Sequence, residues 1–133
     1  ALIHCIGKFN EPGPQNAWME KYIFPGAYTP TLSEQFPSIE RAKLFVSDVE
    51  ILRLHYAETL KLWREAFEKN RETIASMYDE KFCRMWEFYL AGCETAFRHG
   101  VLMVFQIQLS KSLSTVPLTR DYISEFEKSH FSP

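Results

Sequence analysis

Few side chains in this 133-residue chain combine a reactive type with a setting suited to chemistry. His4 stands inside the apolar run from Leu2 to Ile6, beside Ile3. An imidazole so placed is ordinarily a packed structural residue. At the carboxyl end of a strand in an open α/β sheet, where ligands collect, it is instead a candidate functional residue. Tyr56 follows His55, and neighbours on a helix point different ways. Tyr56 falls in an apolar stripe, which packing explains, yet a buried hydroxyl still needs a partner, and Asp48 or Glu50 just upstream could supply one. His99 is accounted for by the negative end of a helix dipole. His130 lies in a tail expected to fray.

The remaining polar groups form no reactive set. Cys5, Cys83 and Cys93 cannot all pair with one another, and none belongs to a CxxC arrangement, so zinc and thioredoxin-like chemistry find no support. They read as free thiols of a reducing compartment. Glu65, Glu68, Glu72, Asp79 and Glu80 alternate with Lys69, Arg71 and Lys81, the pattern of a solvated helix face. Spacing alone specifies no Ser/His/Asp or Cys/His constellation.

The elements that must position these groups are uneven along the chain. Residues 1–37 hold five of the seven prolines and three of the five glycines, whereas 38–91 contain neither. The first third is therefore expected as short elements joined by turns, and the middle as regular structure. Leu2 to Ile6 reads as a buried strand ended by Gly7. Asn16 can cap a short helix running to about Phe24, with Trp18 and Tyr22 on one face, and Pro25-Gly26 stops it. Thr31 and Glu34 have capping-box spacing. Leu44 to Leu52 has strand character without clear alternation. From about Arg53 the period is helical, with Tyr56, Leu60, Trp63, Phe67 and Ile74 on one stripe. Asp79 caps a second long helix with the stripe Phe82, Trp86, Tyr89, Cys93 and Phe97, and Gly100 ends it. Val101 to Leu109 is the best strand, since Phe105, Ile107 and Leu109 alternate with Gln106 and Gln108. A polar, Ser-rich segment then leads to an amphipathic stretch around Tyr122, Ile123 and Phe126.

Composition narrows the function classes. A chain of 15.6 kDa makes one compact domain and can build a real core. Fifteen basic against seventeen acidic residues, with no basic patch, argue against nucleic-acid binding. No stretch approaches the roughly 20 apolar residues of a membrane span. A nucleotide-binding half-sheet needs a glycine-rich strand-to-helix turn, and Gly7 is followed only by Lys8 and a proline-containing loop. The chain also opens at Ala1 directly in a strand-like run, as a segment of a longer polypeptide would.

Particular strings carry further than periods. Leu2-Ile3-His4-Cys5-Ile6-Gly7, Trp18 to Gly26 (WMEKYIFPG), Asp48-Val49-Glu50 with Leu52-Arg53 and His55-Tyr56, Tyr56 to Leu60 with Trp63, Arg84 to Leu90 (RMWEFYL) and Phe105-Gln106 occur in this order. Over roughly residues 2–110 the chain resembles the C-terminal part of the cyclopropane-fatty-acyl-phospholipid synthases. The resemblance implies an α/β fold, the C-terminal fragment of a Rossmann-like S-adenosylmethionine methyltransferase, with about three mixed strands and several helices. It places the final strand, about 101–109, antiparallel between those at 2–6 and near 44–51. Residues 1–110 would be the end of the methyltransferase domain with its helical lipid-site insertion, and 111–133 a C-terminal extension.

The activity so implied is methyl transfer from S-adenosylmethionine to a cis double bond of a phospholipid acyl chain, followed by ring closure. A bound bicarbonate takes the proton, and by resemblance it is held at His4, at the Ile6 backbone and at the Tyr56 hydroxyl. Cys5 stands where family members often carry Thr. The family's glycine-rich cofactor motif and an upstream Cys and Glu would precede Ala1, so this chain alone is expected to bind no cofactor and to be inactive. Expected partners are the missing N-terminal half, a phospholipid acyl chain, the cytoplasmic face of the inner membrane by peripheral contact, and a second copy through an exposed sheet edge. Two other readings stand beside this one. The first is a lipid C-methyltransferase without ring closure; the second is a stand-alone helical interaction or regulatory module derived from such an enzyme.

Overall fold

The computed structural model describes residues 1–131, so the last two positions of the expected 111–133 extension lie outside it. The strand β1 (Leu2–Lys8) is followed by two short helices, α1 (Ala17–Tyr22) and α2 (Leu32–Arg41), and by β2 (Phe45–Leu52). A helical block comes next: α3 (His55–Lys69), α4 (Arg71–Met77) and α5 (Glu80–Arg98). The strand β3 (Leu102–Ser110) and α6 (Asp121–Phe131) complete the order.

Local side-chain chemistry starts and stops these elements. The Asn16 carboxamide oxygen accepts from the Trp18 and Met19 N–H groups at 2.9 and 3.3 Å, satisfying orphan donors of α1. The Glu34 carboxylate accepts from the Thr31 N–H at 2.8 Å at the start of α2 and also receives the Tyr28 hydroxyl, which holds it below the usual carboxylate range. Asp79 accepts from Phe82 N–H at 2.6 Å to open α5. At its other end Gly100 takes a φ of 72°, and the Val101 N–H returns to the Ala96 carbonyl at 2.9 Å. The expected helix from Arg53 begins instead at His55 and is broken at Asn70, whose side chain donates to the Ala66 carbonyl at 2.8 Å and competes with the helical ladder.

The strands form one sheet in the order β1-β3-β2. β1 and β2 run parallel to each other, and each is antiparallel to the β3 between them. This is the order and direction the resemblance implied. Gly7 does not end β1; it pairs with Met103 inside the ladder and is buried. β2 carries a bulge at Ser47, between Val46 opposite Leu109 and Asp48 opposite Gln108.

The two sheet faces differ. One packs Phe105, Ile107 and Leu109 with Ile3, Val49 and Ile51 against Ile39, Leu32 and Phe36 of α2. The other is apolar only at one end, where Val104, Leu52 and Leu102 meet Ala57, Leu60, Leu90 and Phe97 of the α3–α5 pair. Each wholly buried residue of this kind contributes about 2 kcal/mol from burial. Beyond that end the face becomes polar along His4, Gln106, Glu50, Gln108 and Asp48. There α6 is tied down by Tyr122, which donates to the Gln108 side chain at 2.8 Å, and by Arg120, which donates to Asp48 at 3.1 Å. His130, expected in a frayed tail, lies within α6.

The helix pair is also clamped by charge. Arg64 on α3 donates from two nitrogens to Glu94 on α5 at 3.1 Å, and Arg98 donates to the other Glu94 oxygen at 3.0 Å. Burial pushes the Glu94 carboxyl up, but the hydrogen bonds from Arg98 and Arg64 outweigh it and hold the group below its ordinary value of 4.5. Because the folded value is depressed, this stabilisation is present above pH 4.5 and is lost as pH falls through the lower, folded value. Glu94→Gln is therefore expected to cost about 1–2 kcal/mol at neutral pH. The difference from wild type should vanish in acid, as read by urea melts between pH 7 and pH 3.

Candidate functional site

A cavity of about 480 Å³ lies where the apolar end of the sheet meets α1, α3 and α5. That size suits a small ligand or part of a long one. Ile6 and Leu102 reach it from the sheet, Tyr56 and Leu60 from α3, and Trp18 and Met19 from α1, while Phe24 closes it from the following turn. α5 supplies one continuous wall, with Phe88, Tyr89, Gly92, Cys93, Ala96 and Phe97. The polar side chains of Lys8, Gln15, Asn16 and Thr29 also line the cavity. Lys8 donates to the carbonyls of Gly13 and Pro14 at 2.6 and 2.9 Å, so the proline-containing loop is pinned to the end of β1.

Of the three residues expected to share a site, two line this cavity. Ile6 and Tyr56 do; His4 is one strand step away on the same face as Ile6, exposed, with its Nδ1 3.1 Å from the Gln106 side-chain nitrogen. The Tyr56 ring stands edge-on to Phe97 at 5.0 Å and to Trp63 at 5.9 Å. Its hydroxyl makes no hydrogen bond among the described residues, and the partner expected from Asp48 or Glu50 is not provided. Asp48 pairs with Arg120, and Glu50 is exposed opposite Gln106.

The stripe assigned to the core of α5 is partly cavity wall. The residues that face the core are Cys83, Leu90 and Phe97, while Tyr89, Cys93 and Phe97 border the cavity and Phe82 is only half-buried. Apolar periodicity does not distinguish a wall packed on protein from one facing empty space, which is why the roles of Tyr89 and Cys93 escaped the sequence. Burial pushes the Tyr89 hydroxyl up to about 12 and the Cys93 thiol up to about 11, and burial raises Tyr56 as well. All three protic groups are thus neutral at physiological pH. Alkylation of Cys93 by iodoacetamide should accordingly still be rising about tenfold per pH unit at pH 10, without the plateau of an ordinary thiol. Peptide mass mapping over pH 7–10 checks this, and a plateau near pH 9 would contradict it.

Among the described residues no three His, Cys, Asp or Glu side chains could hold a metal, and no helix is long and apolar enough to cross a membrane. Fold and site together define an α/β chain with a largely apolar, aromatic-lined cavity. Residues 1–107 match the family model described as mycolic acid cyclopropane synthetase, and the chain belongs to that family.

The tuberculostearic acid methyltransferase UfaA1 of Mycobacterium tuberculosis is 46% identical over 67% of this chain and 21% of its own length. The cyclopropane-fatty-acyl-phospholipid synthase of Escherichia coli is 31% identical over 84% of this chain and 29% of its own. Among solved structures, the mycolic acid cyclopropane synthase CmaA1 complexed with SAH and CTAB superposes with a TM-score of 0.74 at 26% identity, covering 81% of this chain and 42% of that one. The chain spans about a fifth to a third of the length of the curated relatives it matches.

Proposed function

We propose that this chain builds the acyl-chain side of an S-adenosylmethionine-dependent lipid methyltransferase, one that adds a carbon to a cis double bond of a phospholipid acyl chain and closes it to a cyclopropane. The aromatic cavity, walled within the segment that matches the family, carries this reading. A carbocation developing on an alkene survives only where water and ionised nucleophiles are absent. Tyr56, Tyr89 and Cys93, held neutral, meet that requirement, and the faces of Phe97 and Trp18 offer the quadrupole that favours a cation. The Tyr56 hydroxyl, which makes no hydrogen bond among the described residues, would then donate to a small anion or to a reacting group.

A bicarbonate held by the Ile6 backbone and Tyr56, with His4 beside them on the same face, would supply the base that removes the proton. The cofactor is a different matter. β1 runs through Lys8 into a loop pinned by that lysine rather than into a glycine-rich turn, which favours a cofactor site outside the described residues. Polypeptide outside these residues would hold it. The outer edge of β1 supports this, since apart from a single Lys8–Thr31 bridge it pairs with nothing among the described residues. That edge could take the next strand of the domain or a second copy of the chain. Residues 1–110 then form the end of the methyltransferase domain, and the segment bearing α6 is the extension. Peripheral membrane contact fits the open groove of Trp18, Tyr22, Phe82, Met85 and Phe88, lined also by Lys81, Arg84 and Asp79, which shares Trp18 and Phe88 with the cavity.

The second reading, methyl addition without ring closure, is favoured by one observation: identity is higher to a named methyltransferase, at 46%, than to the named cyclopropane synthase, at 31%. One experiment addresses both. Isothermal titration of the chain with S-adenosylmethionine should give no binding. Supplied with the upstream polypeptide, labelled cofactor and oleoyl-phospholipid vesicles, it should transfer label to the acyl chain, and chromatography with mass detection separates a cyclopropane from a methyl branch. Micromolar binding by the chain alone would overturn the division of labour; unlabelled lipid would overturn the activity.

A further inference from the structure

We propose that Gly92 is a specificity-determining residue, whose missing side chain leaves a recess in the α5 wall that admits an acyl chain bent at a cis double bond. The inference rests on the acyl-chain reading above and goes beyond it by naming the residue that would select chain shape. Gly92 is the one glycine within a helix among the described residues, and mid-helix glycine is disfavoured relative to alanine.

The usual reasons to keep a glycine there are missing. Its backbone is not in the left-handed region, the residue is exposed, and, its chain neighbours and own helix backbone apart, no heavy atom lies within 4 Å of where a Cβ would stand. At Gly7, by contrast, the same construction meets Phe105 at 2.5 Å. The fold therefore has no use for the missing methyl at Gly92, but the cavity does.

Gly92 lies in the cavity-lining row of α5, after Phe88 and Tyr89 and before Ala96. The wall thus steps back from two rings to no side chain and then to a methyl. A straight polymethylene chain is of even width, whereas a cis double bond turns the chain axis and sweeps a wider section. Gly92 precedes Cys93, and both line the same cavity as Tyr56. The recess therefore opens into the same cavity as the hydroxyl assigned to the reacting carbons.

The test compares oleate with elaidate, its trans isomer of equal length, by isothermal titration of wild type, Gly92→Ala and Gly92→Leu, with thermal melts of each protein alone. Gly92→Ala should melt about 3 °C higher, since it gains helix propensity without a clash. It should bind oleate about tenfold more weakly and elaidate within about twofold of wild type. Gly92→Leu, which fills the recess, should lose oleate by more than about a hundredfold. A lower melting temperature for Gly92→Ala would make the glycine structural and overturn the proposal. Equal losses for both isomers, or no loss, would overturn it too. If wild type binds neither fatty acid, the acyl-chain reading itself fails, an outcome distinct from any of these.

Discussion

Tyr56→Phe is expected to lower turnover about a hundredfold in the assembled enzyme while leaving the melting temperature within about 1 °C of wild type. The two halves of this result have separate causes. Stability is unmoved because the hydroxyl makes no hydrogen bond among the described residues, and the ring that packs on Phe97 and Trp63 is retained. Deleting a polar group with no protein partner removes desolvation cost and no protein contact. On the proposed function turnover falls because a donor in an apolar cavity is worth more than the same donor in water. Methyl transfer to oleoyl phospholipid and a thermal melt on the same preparation check both halves. Full activity would remove Tyr56 from the chemistry, and a large fall in melting temperature would return it to a packing role.

The second large effect concerns the fold. Gly7→Ala should destabilise by about 3 kcal/mol and lower the melting temperature by about 10 °C. A Cβ at residue 7 would stand 2.5 and 2.9 Å from two ring carbons of Phe105 and 3.1 Å from the Pro30 carbonyl. Phe105 is wholly buried against α2 and has nowhere to go, and the Pro30 oxygen is backbone that already accepts from the Lys8 N–H at 2.9 Å. Pairing Gly7→Ala with Phe105→Leu tests the cause. The smaller side chain relieves the clash, so the double variant should be more stable than the sum of the two single losses implies. Additive losses would mean that the strain lies with Pro30 instead.

Gly7 also marks where sequence reasoning reaches its limit. A glycine after an apolar run reads as punctuation, and what forbids a side chain there is a phenylalanine near the other end of the chain. Caps were legible because their chemistry is local: Asn16, the Thr31–Glu34 pair, Asp79 and Gly100 all act within one helical turn. β3 was legible because from Phe105 to Leu109 one face packs on α2 while the other is polar, so apolar residues alternate with Gln106 and Gln108. β2 was ambiguous for a reason the structure supplies, since the Ser47 bulge spaces Val46, Val49 and Ile51, which share one face of the strand, by three and then two, and Val46 is itself exposed. The site was half legible. Ile6 and Tyr56 came from resemblance and do line the cavity, but nothing in the local sequence distinguishes Cys93, which borders it, from Cys83, which is sealed in the core. The partner of Asp48 was out of reach as well, because Arg120 approaches from the C-terminal segment.

That bulge has a bearing on how the chain can change length. In a strand, losing one residue inverts every side chain on one side of the gap, so most such losses are fatal. Ser47 is already supernumerary: the residues before and after it pair with β3 in frames that differ by one. Its loss would merge the two frames, leaving Val46, Val49 and Ile51 on the α2 side and sacrificing only its hydrogen bonds to Gln108. The loss of Glu50 would carry Val49 to the opposite face or Ile51 into its place. Within β2, Ser47 is thus the position at which descent can shorten the strand without turning it inside out.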